Sequence, residues 1–317
     1  VLEERSHILV QTAFKLRPHL FIADKEPLGL LGELEETLHH LRAAGTYLVL
    51  GLRDVLDEPN TLRQEWQKKN ITPQLDELYD AFWVYGPSGF HDPLAGLDLS
   101  GSIADRTRFL GFIDAPAWPS PPPAARPNLP DDYILVTAGG GGDGFDLMTA
   151  VLGAYEADPG IPSPAVFLLG PFMANEQSEE IRTRAAALPG SMVIDFASDP
   201  ETLLKGASGI VAMCGYNTFC EVIGQDKPAL FIPREKPRLE QFIRAEHAMR
   251  LGLCGLMRST DALSRPLDLA DALRRLPDSP RPSTAFAPMQ MNGLAQLCAL
   301  VGEVLEIEEP LEQASVA

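Results

Sequence analysis

Positive charge is what this chain has least of. Across 317 residues, 26 Lys and Arg stand against 44 Asp and Glu, a formal net charge of -18. A nucleic-acid footprint needs clustered cations to displace phosphate counterions, so the balance argues against nucleic-acid binding. It argues equally against broad docking to anionic lipid, leaving room for no more than a local basic patch and a transient membrane association. Cysteine is scarce too: Cys214, Cys220, Cys254 and Cys298 show no paired metal-ligand spacing. In a chain of this length they read as reduced thiols of a cytoplasmic protein, with neither a disulfide framework nor a bound metal expected. No apolar run is long enough to cross a bilayer, and no signal-peptide pattern is visible.

What is present is ordinary for a globular protein, 45% hydrophobic and 22% charged residues. The length exceeds the usual single core, so two domains are expected. The chain opens on Val1 to Val10, which reads as a helix already in progress, and a missing first part of a domain is the expectation. Apolar runs at 19–23, 46–50, 81–85 and 107–113 read as strands, with helical spacing at 30–44 and 62–79 between them. Such alternation implies a parallel sheet covered by helices. Residues 114–130 hold Pro116, Pro119, Pro121 to Pro123, Pro127 and Pro130, which can continue neither sheet nor helix and read as a stiff linker.

The second half repeats the pattern more regularly. Strands are expected at 133–137, 165–169, 192–195, 209–213 and 229–232. Helices are expected at 146–156, 176–187, 200–205, 219–224 and 240–251, with a last one at 293–305 before an acidic tail. The predicted domains are therefore 1–113, a linker at 114–130, a second domain at 131–290, and a terminal helix with tail at 291–317.

Two glycine turns carry the chemistry. Ile134 to Thr137 is a buried-strand sequence that runs into Gly139, Gly140, Gly141 and Gly142 and then a helix. Glycine lets backbone amides approach an anion, and the helix N-terminus adds its dipole. No Gly-Lys-Ser/Thr follows, which removes the P-loop, and the spacing is not the dinucleotide fingerprint. A tight turn without a ligand is the rival reading. The second turn, Gly215 to Thr218, also links an apolar run to a helix, placing both turns at one carboxyl edge, where open α/β sheets bind ligands. Glu221, one turn into that helix, suits the two hydroxyls of a ribose, its rival reading being a solvent-facing helix glutamate.

At Met213-Cys-Gly-Tyr-Asn-Thr-Phe-Cys-Glu221, Lys227-Pro-Ala-Leu-Phe-Ile-Pro233 and Glu240-Gln241 the chain resembles the inverting glycosyltransferases of family 28. The likeness is nearest to predicted glycosyltransferases related to the peptidoglycan UDP-N-acetylglucosamine transferase. It covers most of the second half and extends more weakly to 24–29 and 48–54. The resemblance implies an α/β fold of the GT-B type, two Rossmann-like domains whose parallel sheets face across a cleft. It implies a UDP-sugar donor, a carbohydrate or lipid-linked acceptor, and no cofactor. Gly139 to Gly142 would lie against the diphosphate and sugar, and Phe196 with the next amide would meet the base. Gly215, Tyr216, Asn217 and Thr218 would hold the diphosphate, Glu221 the ribose, and Glu240 with Gln241 the sugar. Arg234 and Arg238 would neutralise diphosphate charge, or would be plain surface arginines. No Asp-x-Asp lies near these loops, so a divalent ion is not expected.

The family's N-terminal domain opens on a strand and a glycine-rich loop that carries a histidine or similar base, and nothing of that kind precedes Val1. The base is expected in that segment. Inside the chain His7, His19, His39, His40 and His91 lack a recognisable carboxylate partner, and Asp24, closing a strand, is the catalytic candidate. Two other readings stand beside the transferase. One is a nucleotide-sugar-binding subunit completed by a partner chain, and the other is a sugar-nucleotide epimerase.

Overall fold

A computed structural model describes residues 1–113, 129–285 and 291–306. The chain divides into two compact units, one comprising Val1–Asp114 with Met289–Ala317 and the other Ala115–Pro288. Residues 114–128 of the expected linker, and the tail after Glu306, lie outside the described residues.

The first unit runs α1 (Leu2–Leu16), β1 (Leu20–Asp24), α2 (Glu35–Ala43), β2 (Tyr47–Arg53), α3 (Pro59–Lys68), α4 (Ile71–Leu78), β3 (Ala81–Tyr85), α5 (Gly101–Asp105) and β4 (Thr107–Phe109). Its strands are all parallel, in the order β1-β2-β3-β4. β2 and β3 are apolar along their length because helices cover both faces, as parallel sheets require. Leu38, Leu41, Leu75 and Leu78 from α2 and α4 pack on Leu48, Leu50 and Phe82.

Three expectations in this unit need correction. The helix at 62–79 is two helices, because Asn70 takes the left-handed conformation at φ 50 and turns the chain between them. Leu30 to Leu34 are not helical, since positive φ at Gly29 and Gly32 coils the chain before Glu35. The strand at 107–113 stops at Phe109, short of the positive-φ turn at Gly111. His40 of α2 packs its ring against Phe14 of α1, ring centroids 5.5 Å apart.

The second unit runs β5 (Ile134–Thr137), α6 (Phe145–Ala157), β6 (Ala165–Leu168), α7 (Asn175–Ala186), β7 (Met192–Ile194), α8 (Pro200–Gly206), β8 (Gly209–Ala212), α9 (Tyr216–Gly224), β9 (Ala229–Phe231), α10 (Glu240–Arg250), β10 (Gly255–Leu256), α11 (Ser259–Ser264) and α12 (Pro266–Arg275). The chain then returns to the first unit as α13 (Gly293–Val304), whose Gly293 amide donates to the Phe112 carbonyl at 2.9 Å. β10, α5, α11 and α12 had no counterpart in the sequence reading.

All six strands of the second sheet are parallel, in the order β10-β9-β8-β5-β6-β7. From β5 the chain adds β6 and β7 outward on one side. It then crosses to β8 on the other side of β5 and continues to β10. The direction reverses between β5 and β8, and the crossovers from there lie on opposite faces. The core below is Ile134, Val136, Phe167 and Val211 of the sheet against Met148, Val151 and Leu152 of α6 and Leu269 and Leu273 of α12.

Adjacent residues of α6 should respond in opposite directions. Leu152 is fully buried, so Leu152→Ala should cost about 2–5 kcal/mol. At Gly153 an added Cβ meets nothing within 4 Å, so Gly153→Ala should add about 0.5–1 kcal/mol. Urea titrations followed by far-ultraviolet circular dichroism read both signs.

Candidate functional site

The reversal leaves a crevice at the carboxyl ends of β5 and β8, and a helix starts beside each. α6 is capped by Gly144 and α9 by Gly215, and neither cap residue gives the helix a side-chain hydrogen bond. The first-turn amides of both helices therefore lack a side-chain acceptor at the cap and sit at the positive end of the dipole. The two loops meet: a Cβ on Gly139 would stand 3.5 Å from Thr218 Oγ1.

The glycines divide into those the fold needs and those it does not. Gly141 has φ +84, and a Cβ there would run into the Leu169 carbonyl oxygen. Gly139 has φ +64, and the Gly140 carbonyl accepts the Phe172 amide at 2.9 Å. These positions interlock the β5–α6 loop with the β6–α7 loop, and packing accounts for them without a ligand. Gly215 is different. Its φ of -60 and ψ of 151 suit any residue, and a Cβ there would meet nothing within 4 Å. Nothing in the chain asks for glycine at this position, whereas an anion approaching the backbone would.

Glu221 is the sixth residue of α9 and half-buried, with no hydrogen-bond donor placed on its carboxylate among the described residues. Burial first, and the neighbouring Glu201 carboxylate second, hold its pKa above the ordinary carboxylate value. Glu201 itself is engaged by Lys205 at 2.7 Å and Gln225 at 3.1 Å. A solvated helix glutamate would show no such shift, so this carboxylate is an acceptor in want of donors. Asn217 is exposed and Thr218 half-buried beside it.

Tyr216 turns its ring into the protein beneath the Arg244 guanidinium, 5.6 Å from the ring centroid, and so presents backbone to the crevice. Arg244 is 1% exposed and donates to the Cys214 carbonyl at 2.9 Å. Cys214 has φ 71, a costly conformation for a residue with a Cβ, and the buried arginine braces it. Reading the sequence missed Arg244, which lies thirty positions away and whose only signal is a cation on the apolar stripe of α10.

The loop after β9 completes the site. Arg234 pairs with Asp143 of the glycine loop at 2.7 Å and with Glu240 at 2.8 Å, so it bridges two loops and is no isolated surface arginine. Its amide donates to Gln241 Oε1 at 3.2 Å, and Gln241 is 7% exposed. Glu240 Oε2 is buried without a hydrogen-bond partner among the described residues. Arg238 is half-buried on the same loop. Phe196 follows β7 with 64% of its surface exposed, two strands from β5. Asp24 closes β1 in the other unit, 3.8 Å from Arg53. Among the described residues no three His, Cys, Asp or Glu side chains cluster to hold a metal ion, and no helix is long and apolar enough to cross a membrane.

No protein-family model and no curated protein matches the sequence. Solved structures do match. The calicheamicin glycosyltransferase CalG4 aligns with a TM-score of 0.60 at 15% identity, over 96% of this chain and 78% of its own. MurG of Acinetobacter baumannii aligns at 0.59 and 14%, over 96% and 78%. A putative UDP-N-acetylglucosamine 2-epimerase of Listeria monocytogenes aligns at 0.60 and 14%, over 98% and 80%. At these identities the likeness is one of fold, and the fold is the α/β GT-B type of glycosyltransferases.

The Glu221 environment has a signature in the free protein. A carboxyl whose folded pKa is raised contributes stability that is fully present below its ordinary value of 4.5 and lost as pH rises through the raised value. Glu221→Gln, which cannot ionise, should therefore melt above the parent near neutral pH. The difference should vanish near pH 4.5, as paired thermal melts will record.

Proposed function

We propose that the chain is an inverting, metal-independent glycosyltransferase that moves a hexose or N-acetylhexosamine from a UDP-sugar to a carbohydrate or lipid-linked acceptor. The observation that carries this reading is the pairing on α9 of an open, side-chain-free cap at Gly215 with the unpartnered, half-buried carboxylate of Glu221. The cap and first-turn amides receive the diphosphate, and Glu221 accepts from the ribose hydroxyls. The fold supports it, since CalG4 is described as a glycosyltransferase and the Listeria neighbour's name contains UDP-N-acetylglucosamine.

The acceptor hydroxyl attacks the anomeric carbon in one displacement while the UDP oxygen leaves. Amides of α6 and α9, with Thr218 Oγ1, stabilise the charge that grows on the departing diphosphate. Gly139 to Gly142 form the floor of that site. Glu240, through its orphaned Oε2, and Gln241 take sugar hydroxyls, and Phe196 meets the base. Arg238, with Arg234, offsets diphosphate charge. Asp24, in the other unit, stands as the candidate base for the acceptor proton.

Because an epimerase shares the fold at the same TM-score as CalG4, a second reading needs its own test. UDP-N-acetylglucosamine incubated with the protein alone should persist. Its conversion to the 2-epimer would select the epimerase reading.

The donor site is tested by thermal stability with UDP, dTDP, GDP and ADP. UDP at a hundredfold excess over its Kd should add about 2.7 kcal/mol, a shift of a few degrees. Glu221→Ala should weaken UDP by about 1.5–3 kcal/mol. Gly215→Ala should leave the free protein within about 1 kcal/mol of the parent yet lose the UDP shift. Retention of full UDP affinity in both variants would refute the site.

A further inference from the structure

One side chain of the glycine loop has no role in the donor reading. From Ala138 to Gly144 the chain holds one alanine, five glycines and Asp143, so Asp143 is the only residue there with a polar side chain. A carboxylate is out of place in a loop that offers amides to an anion, and this one stands directly before the Gly144 cap of α6.

Its partner is Arg234 of the β9–α10 loop. The Asp143 carboxylate, 56% exposed, lies 2.7 Å from Arg234 Nε. The approach is close without being directional. Arg234 Nε is buried and has no hydrogen-bond partner among the described residues, so its N–H is not aimed along the line to Asp143. Glu240 grips the same guanidinium in a different way. Its Oε1 accepts from Arg234 Nη2 at 2.8 Å, and its side chain is only 14% exposed. Its Oε2, like Arg234 Nε, is buried and unpartnered among the described residues.

Two carboxylates on one guanidinium leave a net negative charge, with one donor and one acceptor unused. Of the two grips, that of Asp143 is the weaker, since an exposed ion pair contributes little and a misaligned one less. Glu240 is therefore the fixed partner of Arg234, and Asp143 the exchangeable one.

We infer that Asp143 is a resident anion of the crevice, which a ligand diphosphate displaces from Arg234. Asp143 swings into solvent, a diphosphate oxygen accepts from the Arg234 Nε–H, and Glu240 keeps the guanidinium in place. A ligand without phosphate gains nothing from the exchange, so Asp143 acts as a charge threshold on donor binding. The exchange deepens the donor reading and rests on it for where the diphosphate lies.

Isothermal titration of the parent and of Asp143→Asn, each with UDP and with uridine, tests the exchange. Asp143→Asn should bind UDP about fivefold more tightly, the upper end of what an exposed pair contributes, and bind uridine as the parent does. Arg234→Gln should weaken UDP, and Asp143→Asn added to it should recover nothing, because no guanidinium is left to release. Unchanged or weakened UDP binding in Asp143→Asn overturns the exchange, as does a gain that extends to uridine. A gain that persists beside Arg234→Gln also overturns it, reducing Asp143 to a repulsive charge. Should Arg234→Gln fail to fold, the two Asp143→Asn titrations decide alone, since that exposed, isosteric change should melt with the parent. UDP binding that is intact yet indifferent to Asp143→Asn removes the exchange alone, whereas no UDP binding in either protein removes the donor reading with it.

Discussion

Between β5 and β8 the chain reverses the direction in which it adds strands, and the candidate donor site is a consequence of that reversal. Crossovers on one side of β5 cannot cover the space left by those on the other, so a crevice opens at the carboxyl edge. Each helix that follows a strand there starts at its rim. Residues that could meet an anion at that edge sit in the first turns after β5, β8 or β9. The glycine loop, the Gly215 cap and the Glu240–Gln241 turn occupy those three positions.

Holding such loops in place falls to residues that need touch no ligand. Gly141 and Gly170 let the β5–α6 and β6–α7 loops approach backbone to backbone. Arg244 braces the strained Cys214 turn from below, and Arg234 ties Asp143 to Glu240 across the loops. Charged side chains are seldom buried without such work, since an unpaired buried charge is expensive. Carboxylate oxygens that go unpartnered among the described residues, as those of Glu221 and Glu240 Oε2 do, are tolerable only on a frame braced in this way.

The parallel sheets were legible in the sequence because their strands are continuous apolar runs, and ten of the eleven strands and helices expected in the second half appear within one residue of their expected ends. The eleventh, α9, starts at Tyr216 and not at Phe219, since its opening turn holds polar residues that look like loop. The break at Asn70 was hidden because a left-handed asparagine leaves the apolar spacing on either side undisturbed. Glycines show in a sequence, but their reasons do not. Gly141 and Gly215 look alike there, and only the surroundings show that one is filled by a carbonyl and the other faces open space. The partners of Arg234, and Arg244 altogether, were illegible for a related reason, since the contacts are made across loops.

Backbone amide NMR during a UDP titration tests the donor site most directly, since the claim concerns amides. UDP is expected to move the amide signals of residues 139–142 and 215–218 together, saturating at one affinity. Signals that stay in place at those residues while UDP shifts others would contradict the assignment of the crevice as the donor site.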